Sequence, residues 1–301
     1  MQPKEKENKI VERPIYKRAL SVTRAVLSYA VLFSLIILIA CNANTRTQDL
    51  DVPFVPTPQP VVDRMLELAD AGPGDYVIDL GSGDGRIVIA AAELGATAHG
   101  IDLDPDRIEQ ANKNARMAGV TDRVMFVEGD IFEEDFSQAS VITMYLLSSV
   151  NRRLRPRLLD ELRPGTRVVS HSFDMGDWEP ERSVEVEPYD SNVVHHVYLW
   201  IIPARVDGRW EWKIDGQSHS FTVAQHYQEV NVTLNAGNSE LNTSNAVLRG
   251  ERISFMAERG NRHYVYSGKV DGDRIVGSVQ IHTGDNHRLE SWTATRSGSG
   301  R

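Results

Sequence analysis

Three things are scarce in this 301-residue chain: cysteine, positive charge and long apolar stretches. There is one cysteine, Cys41, so no internal disulfide is possible and the fold must hold without one. Lysine and arginine number 33 against 42 aspartates and glutamates, a formal net charge of -9. That balance excludes the electrostatic footprint of a general nucleic-acid binder, so no nucleic-acid partner is expected. A charge-free apolar run covers residues 25–40, short of the roughly 20 residues that a spanning helix needs. What is present is the makeup of a folded protein, 41% hydrophobic and 25% charged, with length enough for two modest domains.

The scarce features meet at the N-terminus. Residues 1–24 carry a net +4, which leaves -13 on the remainder. Lys17, Arg18 and Arg24 precede the apolar run, and Leu38-Ile39-Ala40-Cys41 closes it. A basic flank ahead of a short apolar segment is the pattern of a signal or membrane anchor. The closing tetrad resembles the lipobox of bacterial lipoproteins, where cleavage frees the cysteine for lipidation. Residues 1–41 are therefore expected to associate the protein with a membrane, as an anchor or as a lipoprotein signal. Residues 42–60 are polar and then proline-rich, and read as an extended linker.

From residue 61 to 204, short apolar strands alternate with amphipathic helices. Strands are expected at Tyr76–Leu80, Thr97–Ile101, Val124–Glu128, Val141–Tyr145 and Arg167–Ser172, with helices between them. This alternation predicts a parallel sheet covered on both faces, and two further β-rich runs before Pro203 bring it to seven strands. Residues 205–296 change texture. Eight short segments, punctuated by Asp207-Gly208, Asn235-Ala236-Gly237 and Asp271-Gly272-Asp273, predict a small antiparallel barrel or sandwich. Trp210 and Trp212 read as its core. Residues 297–301 read as a disordered tail.

The chemistry-bearing motif is Asp79-Leu80-Gly81-Ser82-Gly83-Asp84-Gly85, set between a strand and a helix. Glycines allow a sharp turn and close approach of a ligand to the backbone. A dinucleotide loop reads G-x-G-x-x-G, but here Gly85 comes one residue early and Arg86 holds the third glycine's place. Asp79 also fits poorly beside a pyrophosphate and suits the ammonium of a zwitterionic amino acid. Asp102 ends the second strand, near the ~20-residue spacing expected of a carboxylate that grips ribose hydroxyls. Asp130-Ile131 follows the third strand, where an acidic residue can accept from an adenine amino group. Each marker alone has a plainer reading: a tight turn, a helix cap at Asp104-Pro105, a turn residue. Together they mark successive strand ends, where open α/β sheets bind ligands. Tyr145 ends the fourth strand and either lines an acceptor site or packs. His171 and Asp174 lie near the end of the fifth; His195 and His196 read as structural. No metal is called for.

These residues match the class I S-adenosylmethionine (SAM)-dependent methyltransferase pattern. Val52-Pro53-Phe54-Val55-Pro56-Thr57, with the loop from Gly81 to Val88, resembles more particularly the ATP synthase c-subunit lysine methyltransferase family and its prokaryotic relatives. The resemblance implies a Rossmann-like seven-stranded SAM methyltransferase domain, here followed by the small antiparallel β-rich domain. It implies SAM as cofactor, held by Asp79, Gly81, Ser82, Gly83, Gly85, Asp102, Asp130 and Ile131. It also implies a protein lysine as methyl acceptor. A small-molecule acceptor, or a non-catalytic SAM-binding module presenting its β-domain to a partner, are the alternatives; a nicotinamide-dependent oxidoreductase is disfavoured by the glycine spacing. One tension follows. The basic flank predicts a body outside the cytoplasm, whereas SAM is a cytoplasmic metabolite.

Overall fold

The computed structural model describes residues 54–297, apart from 189–191, 215–216 and 238. The apolar run, Cys41, most of the expected linker and the last four residues lie outside the described residues. Among the described residues no helix is long and apolar enough to cross a membrane.

The first part of the described chain builds α1 (Gln59–Leu68), β1 (Tyr76–Leu80), α2 (Arg86–Glu93), β2 (Thr97–Asp102), α3 (Pro105–Ala118) and β3 (Val124–Glu128). It continues with β4 (Val141–Met144), α4 (Ser148–Glu161), β5 (Arg167–His171), β6 (Arg182–Val186) and β7 (His195–Ile201). They form one seven-stranded sheet of order β3-β2-β1-β4-β5-β7-β6. Its central strands are apolar on both sides because both faces are covered. Val77 and Ala98 point to a core shared with α1, α2 and α3, while Ile78, Leu80 and Ile142 point to one shared with α4. Local chemistry sets the helix ends. In α3, the Asp104 carboxylate caps the Asp106 N–H, Pro105 opens the first turn, and Gly119 closes the helix at φ +73.

The structure corrects three expectations. The sheet is mixed: β7 runs antiparallel to β5 and to β6. Among the described residues no helix separates β5, β6 and β7, and an antiparallel return needs no crossover. The proline-rich segment is not all linker, since α1 already begins at Gln59 and residues 54–57 form part of a pocket wall. Ser297, assigned to the tail, is the last residue of a strand and pairs with Arg209.

The second part is a closed antiparallel barrel of eight strands, β8 (Gly208–Ile214) through β15 (Asn286–Ser297). Sequential hairpins run from β8 to β15, and β15 pairs back on β8 to remove the open edge. Trp210, Trp212, Phe221, Phe255, Tyr266 and Trp292 fill its interior. The barrel packs on the sheet domain. The Trp178 indole donates to Gln228 at 2.7 Å, Arg249 pairs with Glu181 at 2.7 Å, and Gly250 sits against Gly165 too closely to admit a side chain without adjustment.

Candidate active site

The strand order reverses at β1, with β2 on one side and β4 on the other. Such a switch point opens a crevice at the carboxyl ends of the strands. Here it holds a cavity of about 960 Å³, its open mouth included, which takes in Asp79, Gly81, Ser82, Gly83, Asp102, Asp130, Ile131 and Tyr145. Gly85 lies just behind the wall. It takes a left-handed φ of +80 as the cap of α2, and its α-carbon faces Phe126 and Ala111.

Four of the loop's backbone N–H groups, those of Gly81, Ser82, Gly83 and Gly85, are already spent. Gly81 and Ser82 both donate to the Ile101 carbonyl at 2.9 Å, Gly83 donates to Asp102 Oδ2 at 2.7 Å, and Gly85 donates to the Ser82 carbonyl at 2.9 Å. Arg86 N–H turns back to Asp84 Oδ1 at 3.4 Å. A pyrophosphate needs those donors free. What these residues retain are carbonyl oxygens and carboxylates, which suit a cation.

Asp79 is 2% exposed and accepts from the Thr143 hydroxyl at 2.7 Å. Burial pushes its carboxyl up to about 7; Asp102 and Asp84 add to the rise and the Thr143 bond opposes it. A carboxyl raised in the fold keeps its proton after the unfolded chain has lost it. The cofactor-free fold therefore loses stability as pH climbs from the ordinary carboxyl value towards about 7.

Asp102 takes one backbone N–H on each oxygen, Gly83 at 2.7 Å and Asp104 at 3.0 Å, and so keeps further lone pairs for a ligand. Asp130 Oδ1 accepts from Phe132 N–H at 2.8 Å, which fixes the carboxylate beside Ile131. The Ser82 hydroxyl is buried and has no partner in the protein. Spent donors, spare carboxylate lone pairs and an orphaned hydroxyl fit a ligand with an ammonium and vicinal hydroxyls.

Sequence reasoning missed the other wall. Phe54 covers Gly83 so closely that a Cβ there would lie 2.3 Å from its ring, and the Arg107 guanidinium lies 4.1 Å over the same ring. Thr57 joins the pocket, its carbonyl accepting from Arg86 Nη1 at 2.8 Å while Asp84 holds that guanidinium at 2.5 Å. The Pro-Phe-Val-Pro-Thr segment was the available signal. Tyr145 packs on His171, ring centroids 3.8 Å apart. His171 is fully buried, and that burial, with His195 beside it, drives its pKa down to about 3. The Asp174 carboxylate is turned to the Gly176 N–H at 3.0 Å, and His196 lies 3.9 Å from Glu185.

Sheet order, switch-point cavity and three carboxylates at successive strand ends define a class I methyltransferase, and its cofactor is SAM. Residues 79–182 match the ANTKMT methyltransferase domain. A protein-lysine N-methyltransferase of Saccharolobus islandicus (strain REY15A) is 49% identical over 153 residues, which cover 50% of this chain and 94% of that protein. The chain belongs to the SAM-dependent protein-lysine methyltransferase family. It is also similar to the mouse adenine nucleotide translocase lysine N-methyltransferase, 36% identical across 44% of this chain and 57% of the relative. The human ATP synthase c-subunit lysine N-methyltransferase is 33% identical across 43% and 55%. Among solved structures, an RNA methyltransferase from Salinibacter ruber in complex with S-adenosyl-L-homocysteine is 57% identical over 50% of this chain and 96% of its own, with a TM-score of 0.48.

Proposed function

We propose that this enzyme transfers the SAM methyl group to a lysine side chain of a protein. The observation that carries the reading is the 49% identity to a protein-lysine methyltransferase across 94% of that relative's length. In this reading Asp79 and the Gly81 carbonyl take the ammonium of the methionine moiety, Asp102 the ribose, and Asp130 with Ile131 the adenine. Ser82, Gly83 and Gly85 shape the loop, and Tyr145 walls the acceptor side. SAM brings an already activated methyl group, so the chain's own task is to hold, orient and exclude water. The acceptor must arrive as the neutral amine, which a desolvated pocket favours.

Methyl transfer from labelled SAM to cell extract tests the reading. Label is expected in protein and is lost when extract lysines are blocked beforehand; incorporation that survives blocking, or label in RNA or small molecules, contradicts it. The same extract reports attachment. We infer from the apolar run before Cys41 that the full chain pellets with membranes and that a chain lacking residues 1–41 does not; equal pelleting would contradict this.

Asp79 makes cofactor affinity depend on pH. A ligand ammonium favours the ionised carboxylate, so below about 7 binding must expel a proton. The Kd for S-adenosylhomocysteine, measured by calorimetry, is expected to fall up to about tenfold per pH unit between about pH 5 and 7. Asp79→Asn is expected to bind weakly and without that slope. A flat wild-type profile would contradict the assignment.

A further inference from the structure

Thr57, His171 and His195 form a hydrogen-bonded chain that leads away from the pocket. Thr57 Oγ1 lies 3.2 Å from His171 Nδ1, and His171 Nε2 lies 2.8 Å from His195 Nδ1. Thr57 is 3% exposed, His171 is fully buried and His195 is half-buried. Thr57 and Tyr145 line the same cavity as the cofactor carboxylates, yet holding SAM uses neither.

The arrangement is closely determined. Thr57 is fixed through its carbonyl by Arg86, and Tyr145 covers one face of the His171 ring. Ser172, next to His171, is held at φ +62, a conformation unusual for serine, with its N–H on the His196 carbonyl at 2.7 Å. Strain of this kind persists where the surroundings over-determine a position, and often beside functional groups.

A neutral imidazole carries one N–H, and its location is set by the partner of the other nitrogen. With that hydrogen on Nε2, His171 donates to His195 and Nδ1 accepts the Thr57 hydroxyl proton. The Thr57 oxygen then has its lone pairs left for another donor, and Thr57 lines the pocket. An amine bound for methylation needs such an acceptor, because an N–H held there leaves the nitrogen lone pair free to face the methyl group.

Resting on the reading of this pocket as an amine methyltransferase site, we propose that Thr57 docks the acceptor amino group. His171, steadied by His195, is the positioning residue that sets the direction of the Thr57 hydroxyl. The titratable groups facing His171 are Tyr145, just after β4, and His195 from β7; the next residue, His196, lies by Glu185.

The test uses the full chain, labelled SAM, and extract protein titrated as acceptor, with calorimetry of S-adenosylhomocysteine alongside. Thr57→Val is expected to raise the half-saturating acceptor concentration at least about tenfold, while the Kd for S-adenosylhomocysteine stays within about twofold. Thr57→Ser regains most of the loss, since it restores the hydroxyl. His195→Phe, at a half-buried site, lowers kcat/KM for the acceptor with cofactor affinity kept. Unchanged acceptor dependence in Thr57→Val, or a loss matched by equal loss of cofactor affinity, overturns the proposal. Wild-type enzyme that binds S-adenosylhomocysteine but labels no lysine overturns the amine reading itself, and this inference with it.

Discussion

Asp102→Ala is expected to weaken binding of S-adenosylhomocysteine at least about a hundredfold. The wild-type carboxylate has two duties. It anchors the glycine loop through Gly83 N–H at 2.7 Å and caps Asp104 N–H at 3.0 Å, and in the proposed reading its remaining lone pairs hold the ribose hydroxyls. Hydrogen bonds to a charged group contribute about 1.5–3 kcal/mol each, so losing a bidentate ribose grip alone removes about 3 kcal/mol or more. That corresponds to a factor of about 100 in Kd. The Gly83 N–H also loses its acceptor, which loosens the loop that shapes the cavity. Asp102→Asn separates the duties, because its amide oxygen still accepts from one backbone N–H. It is expected to fall between wild type and alanine. Calorimetry on protein whose circular dichroism matches wild type checks this, and an alanine variant within about threefold of wild type would refute the ribose assignment.

The second large effect is expected at Gly85. Its φ of +80 is costly for any residue with a Cβ, and the added carbon would lie 2.7 Å from Phe126 Cζ and 2.9 Å from Ala111 Cβ. Phe126 is 9% exposed and Ala111 is fully buried on α3, so neither has free space to yield into. Strain of about 1–2 kcal/mol and overpacking of about 1–3 kcal/mol point to a total loss of about 3 kcal/mol for Gly85→Ala. Gly119→Ala is the internal control. Gly119 has a similar φ of +73 but nothing within 4 Å, so only the strain applies, about 1 kcal/mol. Urea unfolding of the two variants checks the difference. Equal losses would show that packing behind the loop is not what demands glycine.

Much of this fold is written in local sequence. Tyr76–Leu80 and Val124–Glu128 coincide with the observed β1 and β3, because an apolar run between turn residues is a short-range signal. The strand Ser239–Arg249 shows little alternation in sequence. Its inward residues are few, and a bulge between Ser244 and Val247 breaks the alternation. The reversal of β7 was illegible because it depends on a connection without a helix, not on the strand's own residues.

The candidate site divides in the same way. Asp79, Asp102 and Asp130 announce themselves by position at strand ends. The spent donors of the loop do not, since the Gly81 and Ser82 partner is Ile101 on the next strand. Nor does the Thr57–His171 contact, which joins residues 114 apart in the chain. Phe54 to Thr57 read as linker because proline-rich sequence carries no periodicity, and only the fold shows that they close the pocket.

The central claim is that this pocket moves a methyl group from SAM to the side-chain nitrogen of lysine. Total acid hydrolysis of extract protein, labelled with methyl-tritiated SAM by the wild-type enzyme, tests it most directly. The label is expected to elute as Nε-methylated lysine, and Asp102→Ala is expected to produce almost none. Label on another amino acid, label only in nucleic acid or small molecules, or no transfer by enzyme that binds SAM, would contradict it.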